Sequence, residues 1–264
     1  MRFLHLADLH FGKAVHGVSL LERGDQGCWV DRFLELTAER KPDAVVIAGD
    51  VYDRSAPSGD AVELLSRMLT ALAERGIPTL LVAGNHDSAA RVAYLSELAA
   101  LSGIHIAGAE PAMPYSFPLT DEFGALTIHL LPYCTPLSAR QRFPEQQADI
   151  HTYEDAIRAV LAAHPVDKAV RNVLLCHQYL TGAATCDSEE LAIGGLDNIS
   201  ASLFDDYDYV ALGHLHGAQK VQRETVRYAG SPLKYSFSEA DRGKSVTRVD
   251  LREKGDVAVR TIPL

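Results

Sequence analysis

The residues of this chain that could carry metal chemistry fall into five short clusters of aspartate, histidine and asparagine. Carboxylate and amide oxygens and imidazole nitrogens suit manganese, iron or zinc, and no cysteine belongs to the ligand set. In chain order the clusters are Asp8-Leu9-His10, Gly49-Asp50-Val51-Tyr52-Asp53-Arg54, Gly84-Asn85-His86-Asp87, Cys176-His177-Gln178 and Gly213-His214-Leu215-His216.

These ligand types suit the hydrolysis of a phosphoester. A phosphodiester is anionic and repels a nucleophile, so hydrolysis near neutral pH needs positive charge on the phosphate oxygens and a deprotonated water. Two divalent metals about 3.5–4 Å apart supply both, because they clamp the attacking and leaving oxygens of an in-line displacement. The clusters therefore predict a two-metal site that cleaves phosphoesters.

Each cluster also has an ordinary structural interpretation when it is taken alone. An aspartate after a strand is most often a turn or helix-cap residue, and a lone histidine is more often structural than a ligand. The Asn-His and His-x-His pairs are more specific, because neither has a common capping role. It is the ordered set of five that favours a metal site.

Apolar runs of strand length precede the clusters, and helical patterns separate these runs. Continuous apolar runs are typical of strands buried on both faces of a sheet. Strands that alternate with helices predict βαβ units and a largely parallel sheet, in which ligands bind beyond the carboxyl ends of the strands. The five clusters are therefore expected to converge. The runs are residues 4–7, 44–48, 79–83, 173–175 and 209–212, with a last one at 257–262, and the helical patterns are 29–40, 61–75, 90–101 and 153–164.

The ordered motifs D-x-H, G-D-x-x-D, G-N-H-D, H and G-H-x-H resemble those of the calcineurin-like metallophosphoesterase superfamily. The resemblance implies an α/β fold, namely a four-layer α/β/β/α sandwich of two mixed sheets with the metals at one rim. It implies that His86 binds no metal and either stabilises the transition state or protonates the leaving oxygen. The implied metal ligands are Asp8, His10 and His216 for one ion, Asn85, His177 and His214 for the other, and Asp50 as the bridge.

Asp53 and Arg54 complete a G-D-x-x-D-R string that is similar to the protein-phosphatase branch of this superfamily. In that branch the second aspartate orients the catalytic histidine, so we predict a hydrogen bond between Asp53 and His86 and a catalytic role for Asp53. An equally good interpretation is that Asp53 caps the helix that follows it.

Three further segments resemble the SbcD family of DNA-repair exonucleases and extend the resemblance over almost the whole chain. They are residues 3–13, residues 194–197 with 204–216, and residues 228–239, the last of which carries no metal ligand. The resemblance implies a metal-dependent DNA exonuclease or endonuclease that uses two ions, most readily Mn²⁺, to process double-strand breaks or hairpins. The implied partners are DNA, an SbcC-like coiled-coil ATPase and a second copy of the chain.

Two other functions are compatible with the same residues. A general phosphodiesterase or nucleotide phosphatase on the same two-metal scaffold would cleave a small aryl phosphodiester far better than DNA. A non-catalytic scaffold would bind a partner through the site, and the intact ligand set argues against that interpretation.

Substrate contacts are harder to predict than metal ligands. The formal net charge of the chain is −10, whereas proteins that bind duplex DNA usually display a basic face. Part of that negative charge belongs to the metal ligands, however, and two divalent ions would add positive charge where the phosphate lies. The candidate phosphate contacts, each of which could equally be a solvated surface charge, are Lys13, Arg54, Arg91, Lys234 and Arg242. For Tyr235 and Phe237 we predict core packing, in a hairpin that returns into the second sheet.

The composition predicts one domain, residues 1–264. The chain is 47% hydrophobic and 23% charged, which is typical of a globular protein with a substantial core. Proteins similar to SbcD carry a capping domain and ATPase-docking helices after the nuclease domain. Because this chain ends at Leu264, both are expected to be absent from it.

The cysteines and the remaining histidines are predicted to have structural roles. The four cysteines lie far apart and predict neither a disulfide framework nor a zinc module, and Cys176 is interpreted as a buried strand residue. Among the other histidines, His16 alone is close enough in sequence to the first cluster to touch substrate. The chain shows no signal-peptide pattern and no apolar run of membrane-span length, which predicts a cytoplasmic location.

Overall fold

The computed structural model describes residues 1–108, 115–189 and 198–264. In chain order its strands are β1 (Arg2–Leu6), β2 (Ala14–Val15), β3 (Val18–Ser19), β4 (Ala44–Ala48), β5 (Thr79–Val82), β6 (Ile104–Ala107), β7 (Tyr115–Asp121), β8 (Gly124–Leu131), β9 (Arg171–His177), β10 (Tyr209–Gly213), β11 (Gln219–Val221), β12 (Arg223–Tyr228), β13 (Ser245–Leu251) and β14 (Val257–Pro263). Its α-helices are α1 (Asp25–Arg40), α2 (Gly59–Glu74), α3 (Ala89–Val92), α4 (Ser96–Ala100), α5 (Pro136–Arg142) and α6 (Tyr153–Ala163).

The strands that precede the polar clusters are divided between two mixed sheets. The first sheet has the order β14-β13-β1-β4-β5-β6 and the second the order β11-β12-β10-β9-β8-β7. Strands β1, β4, β5 and β6 run parallel, as do β8, β9, β10 and β12, and antiparallel strands extend each sheet. The prediction of parallel strands is confirmed for the strands that carry the clusters, although these strands belong to two sheets.

Side chains on alternate faces of the strands build three apolar layers. Between the sheets, Phe3 and Val46 of the first sheet share a buried core with Leu175 of the second. The outer face of the first sheet packs on α1 and α2, and the outer face of the second packs on α6. Because each sheet is apolar on both faces, the stable arrangement is helix, sheet, sheet, helix. The predicted four-layer sandwich is confirmed.

Of the four predicted helices, the one at residues 90–101 is wrong as a single helix. The chain forms two short helices there, α3 and α4, and Leu95 between them has a left-handed φ of 61°. Leu98 and Leu101 of this segment face solvent with 60% and 83% of their surface exposed. Apolar spacing therefore suggested a buried helical face that the fold does not form.

Two local predictions about segment ends are also corrected. Ser58 caps α2, since its side chain accepts a hydrogen bond from the Ala61 N–H at 3.3 Å, so Asp53 is not the cap of this helix. Residues 228–239 do not form a hairpin in the second sheet, because β12 ends at Tyr228 and the chain then crosses to β13 of the first sheet.

The cysteines occupy four separate environments. Each is a free thiol, and Cys176 is fully buried in β9. Burial raises the pKa of the Cys176 thiol, which keeps it protonated and unreactive. Its interpretation as a structural strand residue is confirmed. Within the described ranges, no helix has the length and apolar character needed to cross a membrane.

An ion pair within the second sheet, at the end opposite to the polar clusters, is also linked to the first sheet through the main chain that follows β13. The Arg171 side chain is 2% exposed and lies 2.5 Å from the Asp121 carboxylate, and it also donates to the main-chain oxygens of Gly124 and Arg252. Burial acts to raise the pKa of Asp121, but Arg171 and the amino-terminal ammonium outweigh it and lower the pKa.

The Asp121→Asn variant should lower the free energy of unfolding at pH 7 by about 3 kcal/mol, because it leaves the buried Arg171 guanidinium without its counter-ion. A carboxylate whose pKa is lowered in the folded state stabilises above its unfolded pKa of about 4 and loses that contribution as the pH falls. Urea unfolding at pH 7 and pH 3 should therefore show a difference from the wild type that shrinks at pH 3. Equal stabilities at pH 7 would contradict the prediction.

Candidate metal centre

The structure brings all seven predicted metal ligands to one rim of the sandwich. Three of the loops that carry them follow strands β1, β4 and β5 of the first sheet, and the other ligands lie at the ends of β9 and β10 of the second. The face-to-face packing of the sheets therefore closes the site from two sides. Asn85 is partly exposed at the opening, and the buried ligands are Asp8, His10, Asp50, His177, His214 and His216.

One group of ligands consists of Asp8, His10 and His216, whose ligand atoms all lie within 4.8 Å of one another. His10 Nε2 is 3.1 Å from His216 Nε2. The Oδ1 atom of Asp8 accepts a hydrogen bond from the His214 N–H at 2.9 Å, whereas Oδ2 is buried without a hydrogen-bond partner among the described residues. An unpaired buried carboxylate oxygen is costly, and a cation between these three side chains would satisfy it.

The second group is centred on the Asn85 side-chain oxygen, which lies 2.9 Å from His177 Nε2 and 3.0 Å from His214 Nδ1. Asp50 lies between the two groups. Its Oδ2 atom is 3.3 Å from His177 Nε2 and 3.6 Å from His10 Nε2. This arrangement of nitrogen and oxygen donors fits two divalent ions that share the Asp50 carboxylate.

The ligands project into the site from strained backbone. Asp8, His10, Asp50 and His214 have φ values of 52°, 43°, 47° and 105°, which side-chain-bearing residues rarely adopt. Each such conformation costs about 1–3 kcal/mol and persists only where the surrounding structure enforces it. Strain at four of the seven ligands is the pattern expected of a functional site.

Close packing of the strand ends requires glycine in two of the three motifs that begin with it. A Cβ atom at Gly84 would lie 2.1 Å from the Asp50 carboxylate, and one at Gly213 would lie 1.7 Å from the Ala48 main-chain oxygen. Neither position has room for a side chain. The glycines thus let the loops from the two sheets approach closely enough to share ligands.

The histidine that the resemblance leaves unligated is held by two hydrogen bonds. The His86 N–H donates to Asp50 Oδ1 at 2.9 Å, and its ring Nδ1–H donates to the main-chain oxygen of Asp53 at 3.1 Å. His86 therefore bonds to the peptide oxygen of Asp53, whereas the predicted bond was between the two side chains, and no such pair occurs among the hydrogen bonds of the described residues. The Asp53 carboxylate instead pairs with Lys13 at 2.7 Å.

Comparison with known proteins identifies the family. Residues 1–218 match the sequence profile of the calcineurin-like phosphoesterase family. This chain belongs to the calcineurin-like phosphoesterases. The profile covers the loops of all the ligands assigned above, and together with the site geometry it makes the protein a metal-dependent phosphoesterase.

Solved structures share the fold of this phosphoesterase. A dimetal phosphatase from Danio rerio aligns with 100% of this chain and 96% of its own, at 13% identity and a TM-score of 0.58. The TT1561 protein of Thermus thermophilus aligns with 98% of both chains, at 14% identity and a TM-score of 0.52. At these identities the likeness establishes the fold, and it does not single out the SbcD family.

The cations predicted to contact phosphate are largely engaged by the phosphoesterase itself. Arg91 donates to the Ser55 main-chain oxygen at 2.9 Å, Lys234 to that of Ala240, and Arg242 to that of Thr185 at 3.0 Å. Lys13 is paired with Asp53 as described above. Arg54 is 81% exposed and lies 3.7 Å from the Asp53 carboxylate.

Residues 228–239, which carry no metal ligand, nevertheless reach the metal centre of the phosphoesterase. The Tyr235 hydroxyl donates to the Leu9 main-chain oxygen at 2.6 Å, and its ring lies 5.4 Å from the rings of both His10 and His216. Core packing is confirmed for Tyr235, but it is wrong for Phe237, which is 76% exposed and stacks on His16 at 4.8 Å. Residues 194–197 lie outside the described residues.

Asp87 is a positioning residue that the motif contains but for which no role was predicted. Its carboxylate accepts hydrogen bonds from the main-chain N–H groups of Val51, Tyr52 and Gly84, at 2.9–3.1 Å. It thereby fixes the loops of Asp50 and His86 relative to each other. Burial raises the pKa of Asp87 to about 6, with a further contribution from Asp50 and opposition from the three N–H groups.

The Asp87→Asn variant should lose about 2 kcal/mol of stability at pH 8, because an amide nitrogen would face N–H groups in place of an acceptor. The displaced loops should also lower kcat, since His86 lies in the turn between Gly84 and Asp87. Thermal unfolding and steady-state kinetics measure the two effects. A variant with wild-type stability and activity would show that the three hydrogen bonds do not position the site.

Proposed function

We propose that the protein hydrolyses small phosphodiesters or nucleotide phosphates with two divalent metal ions. The observation that carries the proposal is the pair of ligand groups that share Asp50. His86 lies beside them, and among the described residues no side chain forms a hydrogen bond with its Nε2 atom. When bound, the ions supply positive charge to the phosphate oxygens and lower the pKa of water.

The residues of the chain bind the ions and supply the proton. Asp8, His10 and His216 hold one ion, Asn85, His177 and His214 hold the other, and Asp50 fixes their relative position. His86 is only partly buried, so its Nε2 atom can reach a substrate at the opening and donate a proton to the leaving oxygen. The Asp53 main-chain oxygen accepts from Nδ1–H and fixes the orientation of the ring.

Electrostatics favours a small substrate over duplex DNA. The net charge is −10, and the candidate cations are mostly engaged in internal contacts. A DNA backbone needs several cations along a groove, whereas a small phosphoester needs charge only at the reacting phosphate. The metal centre alone meets the second requirement.

The test compares three substrates with Mn²⁺-reconstituted protein: bis(p-nitrophenyl) phosphate, p-nitrophenyl phosphate and end-labelled DNA. We expect one of the two small esters to be cleaved with a higher kcat/KM than DNA, and His86→Ala prepared in parallel should remove that activity. If reconstituted protein cleaved neither small ester, the proposal would be wrong. Parallel assays with Zn²⁺ and Fe²⁺ test the expectation that Mn²⁺ is the preferred metal.

A second candidate is a DNA exonuclease or endonuclease of the SbcD type that works with an SbcC-like ATPase, as a dimer. The segment that most resembles that family, residues 228–239, contacts the metal-binding histidines through Tyr235, which favours this candidate. It predicts Mn²⁺-dependent cleavage of single- or double-stranded DNA that disappears in His86→Ala. DNA left intact while a small diester is cleaved would support the first candidate instead.

A further inference from the structure

A buried polar chain extends from His216 away from the metal centre. The Ser188 hydroxyl oxygen lies 2.7 Å from His216 Nδ1 and 2.8 Å from Glu239 Oε1. Glu239 is fully buried and forms an ion pair with Lys244. These three residues lie outside the ligand motifs, and two of them follow the last ligand in the chain.

The charge on Glu239 decides the direction of the hydrogen bonds. Glu239 forms an ion pair with the Lys244 ammonium through Oε2, and its Oε1 accepts the Tyr235 N–H, so donors face both of its oxygens. Glu239 is thus a carboxylate and can only accept. Ser188 has one proton and donates it to Glu239, so its oxygen accepts from His216 Nδ1–H. His216 Nε2 is left with a lone pair.

Other contacts make this chain rigid. Lys244 also donates to the His216 main-chain oxygen at 2.8 Å and to the Ser231 hydroxyl at 2.7 Å. The Tyr235 N–H donates to Glu239 Oε1 at 3.0 Å. Residues 235–244 therefore hold the His216 ring and its main chain from the side opposite to the metal centre.

We infer that Ser188 and Glu239 are positioning residues that hold His216 in the tautomer whose Nε2 lone pair faces Asp8 and His10. The inference rests on the proposed two-metal function and deepens it, because the opposite tautomer would direct an N–H at the cation. Partners of this kind typically change metal affinity about 10–100-fold. The carboxylate acts through the serine hydroxyl, and its Oε1 atom lies 3.8 Å from His216 Nδ1.

The first test reads the tautomer without metal or substrate. In metal-free protein with ¹⁵N-labelled histidine, the ring nitrogens of His216 are identified by the signals missing from His216→Gln. We expect wild-type His216 to be protonated on Nδ1 and the Ser188→Ala variant to show a mixture of tautomers. The same single tautomer in both proteins would overturn the role of Ser188.

The second test measures Mn²⁺ binding by calorimetry. Ser188→Ala should weaken one of the two sites about 10–100-fold and leave the other unchanged, and Ser188→Thr, which keeps the hydroxyl, should restore it. Ser236→Ala is the matched control, because it also removes a serine hydroxyl next to Glu239 but not one that contacts His216. Among the described residues the Ser236 hydroxyl bonds to Glu239 at 3.3 Å and to Ser238 at 2.7 Å. The control should bind like the wild type.

The outcomes separate this inference from the proposed function. Unchanged binding in Ser188→Ala, equal weakening of both sites, or wild-type protein that binds no Mn²⁺ would overturn the inference. Wild-type protein that shows the tautomer and binds two ions but hydrolyses no phosphoester would overturn the proposed function alone.

Discussion

The His86→Ala variant should bind two Mn²⁺ ions with wild-type affinity while its kcat falls about 10²–10⁴-fold, the range typical of a lost general acid. The ring is held by the Asp53 peptide oxygen, whereas Asp50 accepts from the His86 main-chain N–H, which alanine retains. Asp50 can therefore still reach both ligand groups when the ring is absent. The loss should therefore appear in turnover and not in metal content.

Measurement of metal binding is needed to distinguish a general acid from a metal ligand, because His86 also lies within 4.8 Å of potential ligand atoms of His10 and Asp50. If it were a ligand, the alanine variant would bind fewer ions and its activity would recover partly at high Mn²⁺. Calorimetry and kcat as a function of Mn²⁺ concentration distinguish the two cases. His151→Ala, an exposed histidine outside the clusters, serves as the control for removal of an imidazole.

The pH profile gives a second measure of the same role. If His86 acts as a general acid, wild-type activity should show a descending limb at high pH, because a general acid must be protonated to act. The alanine variant should lack that descending limb. A profile with the same descending limb in both proteins would assign it to another group.

The convergence of the candidate metal ligands could be predicted from the sequence, because each follows a strand with a clear apolar pattern. Residues 44–48 are apolar without interruption, and Gly49 and Asp50 come directly after them. Such a run forms a strand buried on both faces, and the chain must turn where it ends. Given the ligand types and their order, a two-metal site then required only that the strand ends converge at one rim.

The surroundings of the ligands could not be predicted in the same way, because they depend on contacts between distant segments. Ser188 and Glu239 lie 28 residues before and 23 residues after His216, and neither belongs to a short motif. Nothing local indicates that Glu239 is buried beside Lys244. Likewise, the sequence placed Asp53 near His86 but could not decide between its carboxylate and its peptide oxygen.

Local patterns failed where apolar residues are exposed. Phe237 was expected to face a core, and residues 90–101 were expected to form one helix. Phe237 and Leu98 instead face solvent, and the left-handed Leu95 divides the helical segment in two. Periodicity records which side chains share a face, and only the tertiary structure decides what that face meets.

The Asp50→Asn variant should lose both metal sites together, which makes it the most damaging single substitution of this centre. Asp50 Oδ2 faces both ligand groups, and its negative charge lies where two cations would otherwise repel each other. Loss of an outer partner of a ligand costs about 10–100-fold in affinity, so loss of the shared carboxylate should cost at least about 100-fold at each site. Activity should fall at least as far as in His86→Ala.

Thermal unfolding with and without Mn²⁺ tests this joint loss. Saturation at about 100 times the Kd stabilises a folded protein by about 2.7 kcal/mol per site, so the wild type should show a clear rise in Tm. The Asp50→Asn variant should show almost none, whereas Asp8→Asn, which alters one ligand group, should retain part of the rise. The comparison is decisive because a bridging carboxylate contributes to both sites, whereas a terminal ligand contributes to one. An equal rise in Tm with Mn²⁺ in the two variants would mean that Asp50 serves a single ion.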